Sequence, residues 1–221
     1  MKEHIIKRTA ILVDGGYYRN RAFDLWGRKS PQKRADELYA YCMDHIEKSD
    51  EPRTLYRIFY YDCPPMQRKM VHPLSGKEVD HSAGASTKWS KDFHNKIADK
   101  KRIAMRMGEL AESTATYALK EDAIKDLLSN TKTISDLKDD DFYVEVSQKG
   151  VDMRIGLDVA SLAYGKYVDQ IILIAGDSDF LPVAKMARRH GLDFLLDPMK
   201  QNVKQSLRAH VDDIETFIDP A

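Results

Sequence analysis

The chain has 221 residues, 43% of them hydrophobic and 32% charged, which is enough for one domain with a sizeable buried core. Its 35 lysines and arginines balance 35 aspartates and glutamates, which excludes a protein that is basic over its whole surface but not one with a local basic groove. The two cysteines, Cys42 and Cys63, exclude a disulfide scaffold and a cysteine zinc site, and they predict a reducing compartment.

The chain begins Met1-Lys-Glu-His-Ile-Ile-Lys-Arg8, which lacks the apolar core of a signal peptide. No run of the sequence approaches the length of a membrane span. We therefore expect a cytoplasmic protein with no membrane partner.

Hydrophobic patterning in the first half of the chain predicts strands at residues 9–13, 54–61 and 102–107 and helices at residues 35–48, 87–101 and 120–128. Asp14-Gly15-Gly16 after the first strand predicts a tight turn. Residues 66–86 are polar and lack periodicity, so we expect an irregular lid or substrate-facing loop.

The second half predicts strands at residues 142–146, 171–174 and 192–196. It also predicts a helix that opens at residues 148–153 and runs to about Tyr164, and helices at residues 181–190 and 201–210. Strands that alternate with helices predict an α/β fold with a mostly parallel sheet and helices on both faces. We expect one domain over residues 1–221, with an irregular insertion at about 63–141.

The most informative stretch is Ile171-Ile-Leu-Ile-Ala-Gly-Asp-Ser-Asp-Phe180. Its β-branched run is typical of a strand buried on both faces. Asp177 and Asp179 then fall at the carboxyl end of that strand, where open α/β sheets bind their ligands. Two neighbouring carboxylates in such a crevice repel each other unless a cation lies between them.

Two further acids fall at comparable places. Asp14 ends the first strand, and Asp152 lies in the first turn of a helix, three residues before Ile155 on its apolar face. Each acid has a simpler interpretation: Asp14 as a turn former, Asp152 as a favourable charge at a helix start, Asp179 as an N-cap. Four acids at one sheet edge favour a site for Mg²⁺ or Mn²⁺.

Magnesium readily takes phosphate oxygens into its coordination shell, so the pattern predicts a phosphate ester as substrate. Ser178 and the N–H groups that open the next helix are candidates for holding a phosphate. Lys149 and Arg154 flank Asp152 and could add positive charge, although Lys149 as a plain surface lysine is an equal interpretation.

Three motifs resemble those of the NYN domains, a branch of the PIN-like metal-dependent nucleases. They are Ile11-Leu-Val-Asp-Gly15, Gln148-Lys-Gly-Val-Asp152 and Ile174-Ala-Gly-Asp-Ser-Asp-Phe180. The segment Leu192-Asp-Phe-Leu-Leu-Asp-Pro-Met199 looks like the closing strand of the bacterial, LabA-like members.

The resemblance implies a Rossmann-like sheet and a Mg²⁺- or Mn²⁺-dependent ribonuclease that cleaves RNA, with the family's catalytic and metal-binding acids at Asp14, Asp152, Asp177 and Asp179. One position departs from the pattern, because many members have Asp-Gly-x-Asn after the first strand and here the fourth residue is Tyr17. Asn20 is a candidate replacement for that amide.

Two alternatives stay open. One is an RNA-binding or protein-interaction module with a weak or inactive acidic site, which Tyr17 and the neutral net charge favour. The other is a metal-dependent phosphatase acting on small phosphate esters, although an Asp-x-Asp pair after a late strand counts against a phosphoaspartate mechanism.

The basic residues Arg28, Lys29, Lys33 and Arg34 and the aromatic residues Tyr17, Tyr18, Phe23 and Trp26 could bind RNA or be ordinary surface and core residues. Apolar residues of the C-terminal segment could pack internally or against a second copy in a homo-oligomer: Val211, Ile214 and Phe217.

Overall fold

A computed structural model describes residues 6–218 of the chain, without the side chain of Ser178. The helices of this part are α1 Gly15–Trp26, α2 Pro31–Glu47, α3 Ala85–Ala98, α4 Glu121–Leu128, α5 Val151–Tyr164, α6 Leu181–Arg189 and α7 Gln205–Arg208. Its strands are β1 Lys7–Asp14, β2 Arg53–Asp62, β3 Lys69–Val71, β4 Glu78–Asp80, β5 Ile103–Met107, β6 Glu109–Leu110, β7 Thr116–Leu119, β8 Phe142–Glu145, β9 Gln148–Lys149, β10 Gln170–Ile174, β11 Asp193–Asp197 and β12 Asp213–Ile214.

Within the described residues, six parallel strands form the main sheet in the order β12-β11-β10-β1-β2-β5. Counted along the chain, this is the Rossmann order, and it reverses between β1 and β10. Both strands are buried, as their apolar runs predict. The predicted α/β fold with a parallel sheet is confirmed.

Helices cover both faces of this sheet. One core cluster joins Leu12 and Leu173 to α5 and α6, through residues such as Ile155 and Ala184. The other joins Ile11 to α1, α2 and α3, through residues such as Leu38. Because alternate residues of each strand point to opposite faces, both faces are apolar and the sheet lies in the middle of three layers.

The segment predicted as one insertion is divided by the structure. Helix α3 packs into a core cluster and β5 is the outermost strand of the main sheet, next to β2, so both belong to the main layers. The irregular loop predicted at residues 66–86 is wrong in part, because β3 and β4 pair there as an antiparallel hairpin. Strand β8, predicted within the sheet series, pairs with β7 outside the main sheet.

The C-terminal segment packs on its own chain. Val211 is buried, Ile214 packs against a core cluster, and the Phe217 ring meets His45 edge-on with centroids 5.0 Å apart. His45 Nε2 in turn lies 2.8 Å from Asp197 Oδ2, and the Asp197 carboxylate also accepts a hydrogen bond from Thr216 at 2.7 Å. The predicted helix at residues 201–210 is reduced to the single turn of α7.

The predicted tight turn after β1 is instead the start of α1, and Gly15 allows it. A Cβ atom at Gly15 would lie 2.4 Å from the Tyr60 hydroxyl and 2.6 Å from the Tyr61 carbonyl oxygen. Only a residue without a side chain lets α1 begin this close to β2, and that approach fixes where Asp14 lies.

We expect Gly15→Ala to lower the free energy of unfolding by about 1 to 3 kcal/mol, because the added methyl group overpacks this contact. Urea denaturation measures the change. Gly156→Ala is the matched control: its Cβ would meet Val183 at an ordinary 3.7 Å. Inside a helix it should raise stability by about 0.5 to 1 kcal/mol. Equal effects of the two substitutions would contradict this account.

Candidate functional site

The carboxyl ends of the parallel strands bring acidic residues to one edge of the sheet. Asp14 is the last residue of β1, and Asp177 follows β10, its parallel neighbour. Asp62 is the last residue of β2, on the other side of β1. This edge lies at the β1–β10 reversal, where ligands of this fold class bind.

Asp14 caps helix α1, since its Oδ1 accepts a hydrogen bond from the Tyr17 amide at 3.0 Å. The pKa of Asp14 is raised to about 6, mainly by burial and further by the charges of Asp152 and Asp62, against the lowering effect of the Tyr17 hydrogen bond. A carboxyl with such a pKa can exchange a proton close to neutral pH.

We call the site formed by Asp14, Asp152, Asp177 and Asp179 the acidic edge. Asp152, Asp177 and Asp179 are its more exposed part. Partial burial raises the pKa of Asp152, and the charges of Asp177 and Asp179 raise it further. The Asp177 Oδ1 accepts the Asp179 amide at 3.0 Å. Asp179 is not the N-cap of α6, because that position belongs to Phe180.

The helical periodicity of α5 is confirmed for its apolar stripe but not for its first turn. Ile155 and Val159 are buried as predicted, whereas Asp152 is exposed instead of pointing towards the core. In the first turn of α5 the buried residue is Val151, which belongs to a core cluster, while the next residue, Asp152, is exposed.

The predicted site residues are therefore brought together electrostatically but do not converge. The charge of Asp152 helps to raise the pKa of Asp14, and the charges of Asp177 and Asp179 help to raise the pKa of Asp152. Among residues 6–218, no three His, Cys, Asp or Glu side chains are placed so that they could hold a metal ion as they stand.

The candidate substrate-binding residues lie on different elements of the fold. Lys149 is exposed on β9, and the Arg154 Nη1 folds back to the Gly150 carbonyl oxygen at 3.2 Å. Asn20 is exposed on α1 and lines a groove beside Arg19. The side chain of Ser178 lies outside the described part of the chain.

Sequence reasoning missed Asp62 and its neighbours. Asp62 is fully buried, with Arg19 Nη2 at 3.0 Å, His94 Nε2 at 2.9 Å and the Tyr60 hydroxyl at 3.0 Å. Burial alone would raise its pKa, but the His94 hydrogen bond and the Arg19 charge hold that pKa below the ordinary value. An acid directly after a predicted strand was the available signal.

Tyr17, which replaces the family's asparagine, has a structural role. Its hydroxyl donates to the Pro198 carbonyl oxygen at 2.6 Å. Its ring covers Gly176, where a Cβ atom would lie only 2.3 Å from the ring. Burial raises the pKa of Tyr17 to about 12, so it stays a neutral donor. Tyr17 thus ties α1 to the ends of β10 and β11.

Comparison with known proteins gives a family match and structural matches. The NYN domain matches residues 77–217, which include Asp152, Asp177 and Asp179 but not Asp14. A crystal structure of a protein of unknown function from Vibrio parahaemolyticus has a TM-score of 0.48 and 13% sequence identity, over 99% of this chain and 97% of that one. No curated protein sequence matches the chain. In residues 6–218, no helix combines the length and apolar character needed to cross a membrane.

We expect Asp14→Asn to stabilise the metal-free protein above pH 6. The folded pKa of about 6 lies above the ordinary 3.8, so wild-type stability falls as pH rises between these values and then levels off. Asparagine keeps the cap without the buried charge. Urea denaturation in EDTA should show a gain of about 1 to 3 kcal/mol at pH 8.

At pH 3.5 most of this gain should disappear, because the wild-type carboxyl is then protonated in the folded state and mostly protonated in the unfolded state. Asp50→Asn, an exposed acid at the opposite sheet edge, is the control and should change little at either pH. A less stable Asp14→Asn protein at pH 8 would show that the buried charge is compensated.

Tyr17→Phe should lower the free energy of unfolding by about 1 kcal/mol, because it removes the hydrogen bond to Pro198 and keeps the ring over Gly176. Tyr17→Asn should cost more, since it also removes the ring. Thermal unfolding of the two variants against wild type measures both steps. Equal stability of Tyr17→Asn and wild type would refute the structural role.

Proposed function

The chain belongs to the NYN domain family of PIN-like nucleases, and on that premise we propose that it is a metal-dependent ribonuclease. In this proposal it hydrolyses RNA phosphodiester bonds at the acidic edge, in the cytoplasm, and it belongs to the bacterial LabA-like branch. Cys42 and Cys63 are both free thiols, in keeping with a reducing compartment.

The observation that carries the proposal is the mutual repulsion of carboxylates at the β1–β10 reversal. The pKa of Asp14 is raised by burial and then by Asp152, and that of Asp152 by burial and then by Asp177 and Asp179. A fold without a ligand there would gain stability by replacing these acids, so their presence supports a function that uses their charge.

The acidic edge fits a hard divalent cation by the chemistry of its donors. Carboxylate oxygens are what Mg²⁺ and Mn²⁺ prefer, and a cation relieves the repulsion that raises these pKa values. Asp14, Asp152, Asp177 and Asp179 would hold it. When bound, such an ion lowers the pKa of a water and offsets the charge that builds up on a phosphate.

The chain's own residues supply orientation and charge in this proposal. The Tyr17 amide fixes the Asp14 carboxylate, and the Asp179 amide fixes that of Asp177. Lys149 and Arg154, on either side of Asp152, are proposed to attract the phosphate backbone by their charge. Ser178 is proposed to hold a phosphate. Asn20 is proposed to contact the substrate from α1, away from the reacting phosphate.

A binding module with an inactive site is the second candidate. It is favoured by the spacing of the acids, since no three side chains of the described residues are placed to hold a metal ion together. Such a module would bind RNA equally well in EDTA and would form no product.

Cleavage of labelled single-stranded and hairpin RNAs tests the proposal with Mn²⁺, with Mg²⁺ and with EDTA. We expect cleavage only with a metal ion, and a loss of at least about 100-fold in the Asp177→Asn/Asp179→Asn protein. The matched control is Asp50→Asn/Asp213→Asn, which removes two exposed charges at the opposite sheet edge.

Cleavage that survives in the Asp177→Asn/Asp179→Asn protein would refute the mechanism. RNA binding by wild type without any product, under all three conditions, would instead favour the binding module.

A further inference from the structure

A groove of about 620 Å³ lies between α1 and α3. Arg19 and Phe23 of α1 line one side, Trp89 of α3 lines the other, and Arg28 and Lys29 lie at its end. We call it the α1–α3 groove. None of the four acids lines it, and Asn20 is the one residue proposed above to contact the substrate that does.

The charge of the α1–α3 groove departs from that of the chain. Four cations and no carboxylate line it, on a protein whose charges sum to zero. Lys29 and Arg34 are both paired with Glu37, and Arg19 with Asp62. Arg28 is exposed and has no ion pair within residues 6–218. Arg28 is therefore the exposed, unpaired cation of the groove within the described residues, and the groove suits an anionic ligand.

An accessible aromatic ring lies beside this cation. The Phe23 side chain is 50% exposed, and the Arg28 guanidinium carbon is 5.9 Å from the centre of its ring. Trp89 is fixed by stacking on Phe93 and by a hydrogen bond from its indole N–H to the Lys29 carbonyl oxygen at 2.9 Å. Half of the Phe23 surface is thus open to a stacking base, and Arg28, which lies over the same ring, is placed for a phosphate.

The α1–α3 groove shares lining residues with a cavity that reaches the neighbourhood of Asp14. Arg19, Ser86 and Ser90 line both this groove and a second cavity of about 300 Å³, which extends to Gln148. The Gln148 Oε1 lies 4.0 Å from the position of a Cβ on Gly16, next to Asp14. A nucleic acid strand at the carboxylates can therefore continue along this surface into the groove.

We propose that the α1–α3 groove binds unpaired RNA that flanks the cleaved nucleotide, with one base stacked on Phe23 and a phosphate at Arg28. This deepens the proposed ribonuclease function and rests on it for the position of the cleaved bond. Stacking on a side chain needs a base that is not already stacked in a helix, so the ligand is single-stranded and not duplex RNA.

Binding is measured by fluorescence anisotropy of a labelled 12-nucleotide unstructured RNA, with the full chain in EDTA and with the RNA checked for integrity afterwards. Phe23→Ala should weaken binding by about 5- to 150-fold, the range for losing one stacked base, and Phe23→Trp should retain it. Arg28→Glu should also weaken binding, and it should lower the salt dependence by about one counterion.

Leu128→Ala is the control, because it also truncates an exposed apolar side chain but does not line the groove. It should bind within about twofold of wild type, since surface substitutions of this kind change free energies by little. Thermal unfolding of each variant tests whether the fold is kept. We expect it to be kept, because Phe23 and Arg28 are both exposed and contribute little to the core. The same RNA annealed to its complement should bind more weakly and be insensitive to Phe23→Ala.

The outcomes separate the two proposals. The proposal that the groove binds RNA would be refuted if both Phe23→Ala and Arg28→Glu kept wild-type affinity, or if the wild type bound no RNA. This holds even if metal-dependent cleavage is found. Equal sensitivity of duplex binding to Phe23→Ala would overturn that proposal as well. Groove-dependent binding without cleavage under any metal condition would support the groove and reject the ribonuclease.

Discussion

The parallel alignment of β10, β1 and β2 is the constraint on which the rest of the structure depends. Because all three strands run in the same direction, Asp177, Asp14 and Asp62 must emerge at one edge of the sheet. Asp14 is followed by α1 in one helical layer and Asp177 by α6 in the other, so the chain diverges at the β1–β10 reversal. The fold therefore concentrates negative charge, and it has to compensate that charge.

The structure compensates the acids in two different ways. Asp62 is buried and fully partnered by Arg19, His94 and Tyr60, which holds its pKa below the ordinary value despite burial. Asp14 lies next to it with only backbone partners, and its pKa is raised. Asp62 is a structural anchor between β2, α1 and α3, while Asp14 has no ion pair within residues 6–218 and is the acid that the proposed function uses for a ligand.

Helix α1 connects the two surfaces that the proposals concern. Asp14 caps its N-terminus, and its first turn carries the ring of Tyr17 over Gly176. One turn later, Arg19 reaches Asp62 on one side and lines the α1–α3 groove on the other. Any change in the position of α1 would thus move the acidic edge and the groove together, which is why its close approach at Gly15 matters.

The sequence alone determined the parallel sheet, the strand ends at Asp14 and Asp177, and the family, because these depend on local runs and on short motifs. Most helices were also predicted to within a few residues from periodicity. Only the tertiary structure decided which strand neighbours which, that Asp152 is exposed, and that residues 66–86 contain a hairpin. Asp62 is joined to Arg19 and His94 across 43 and 32 residues, and the groove joins two helices from separate parts of the chain. Such contacts depend on how the layers pack, and no local pattern of residue types encodes that packing.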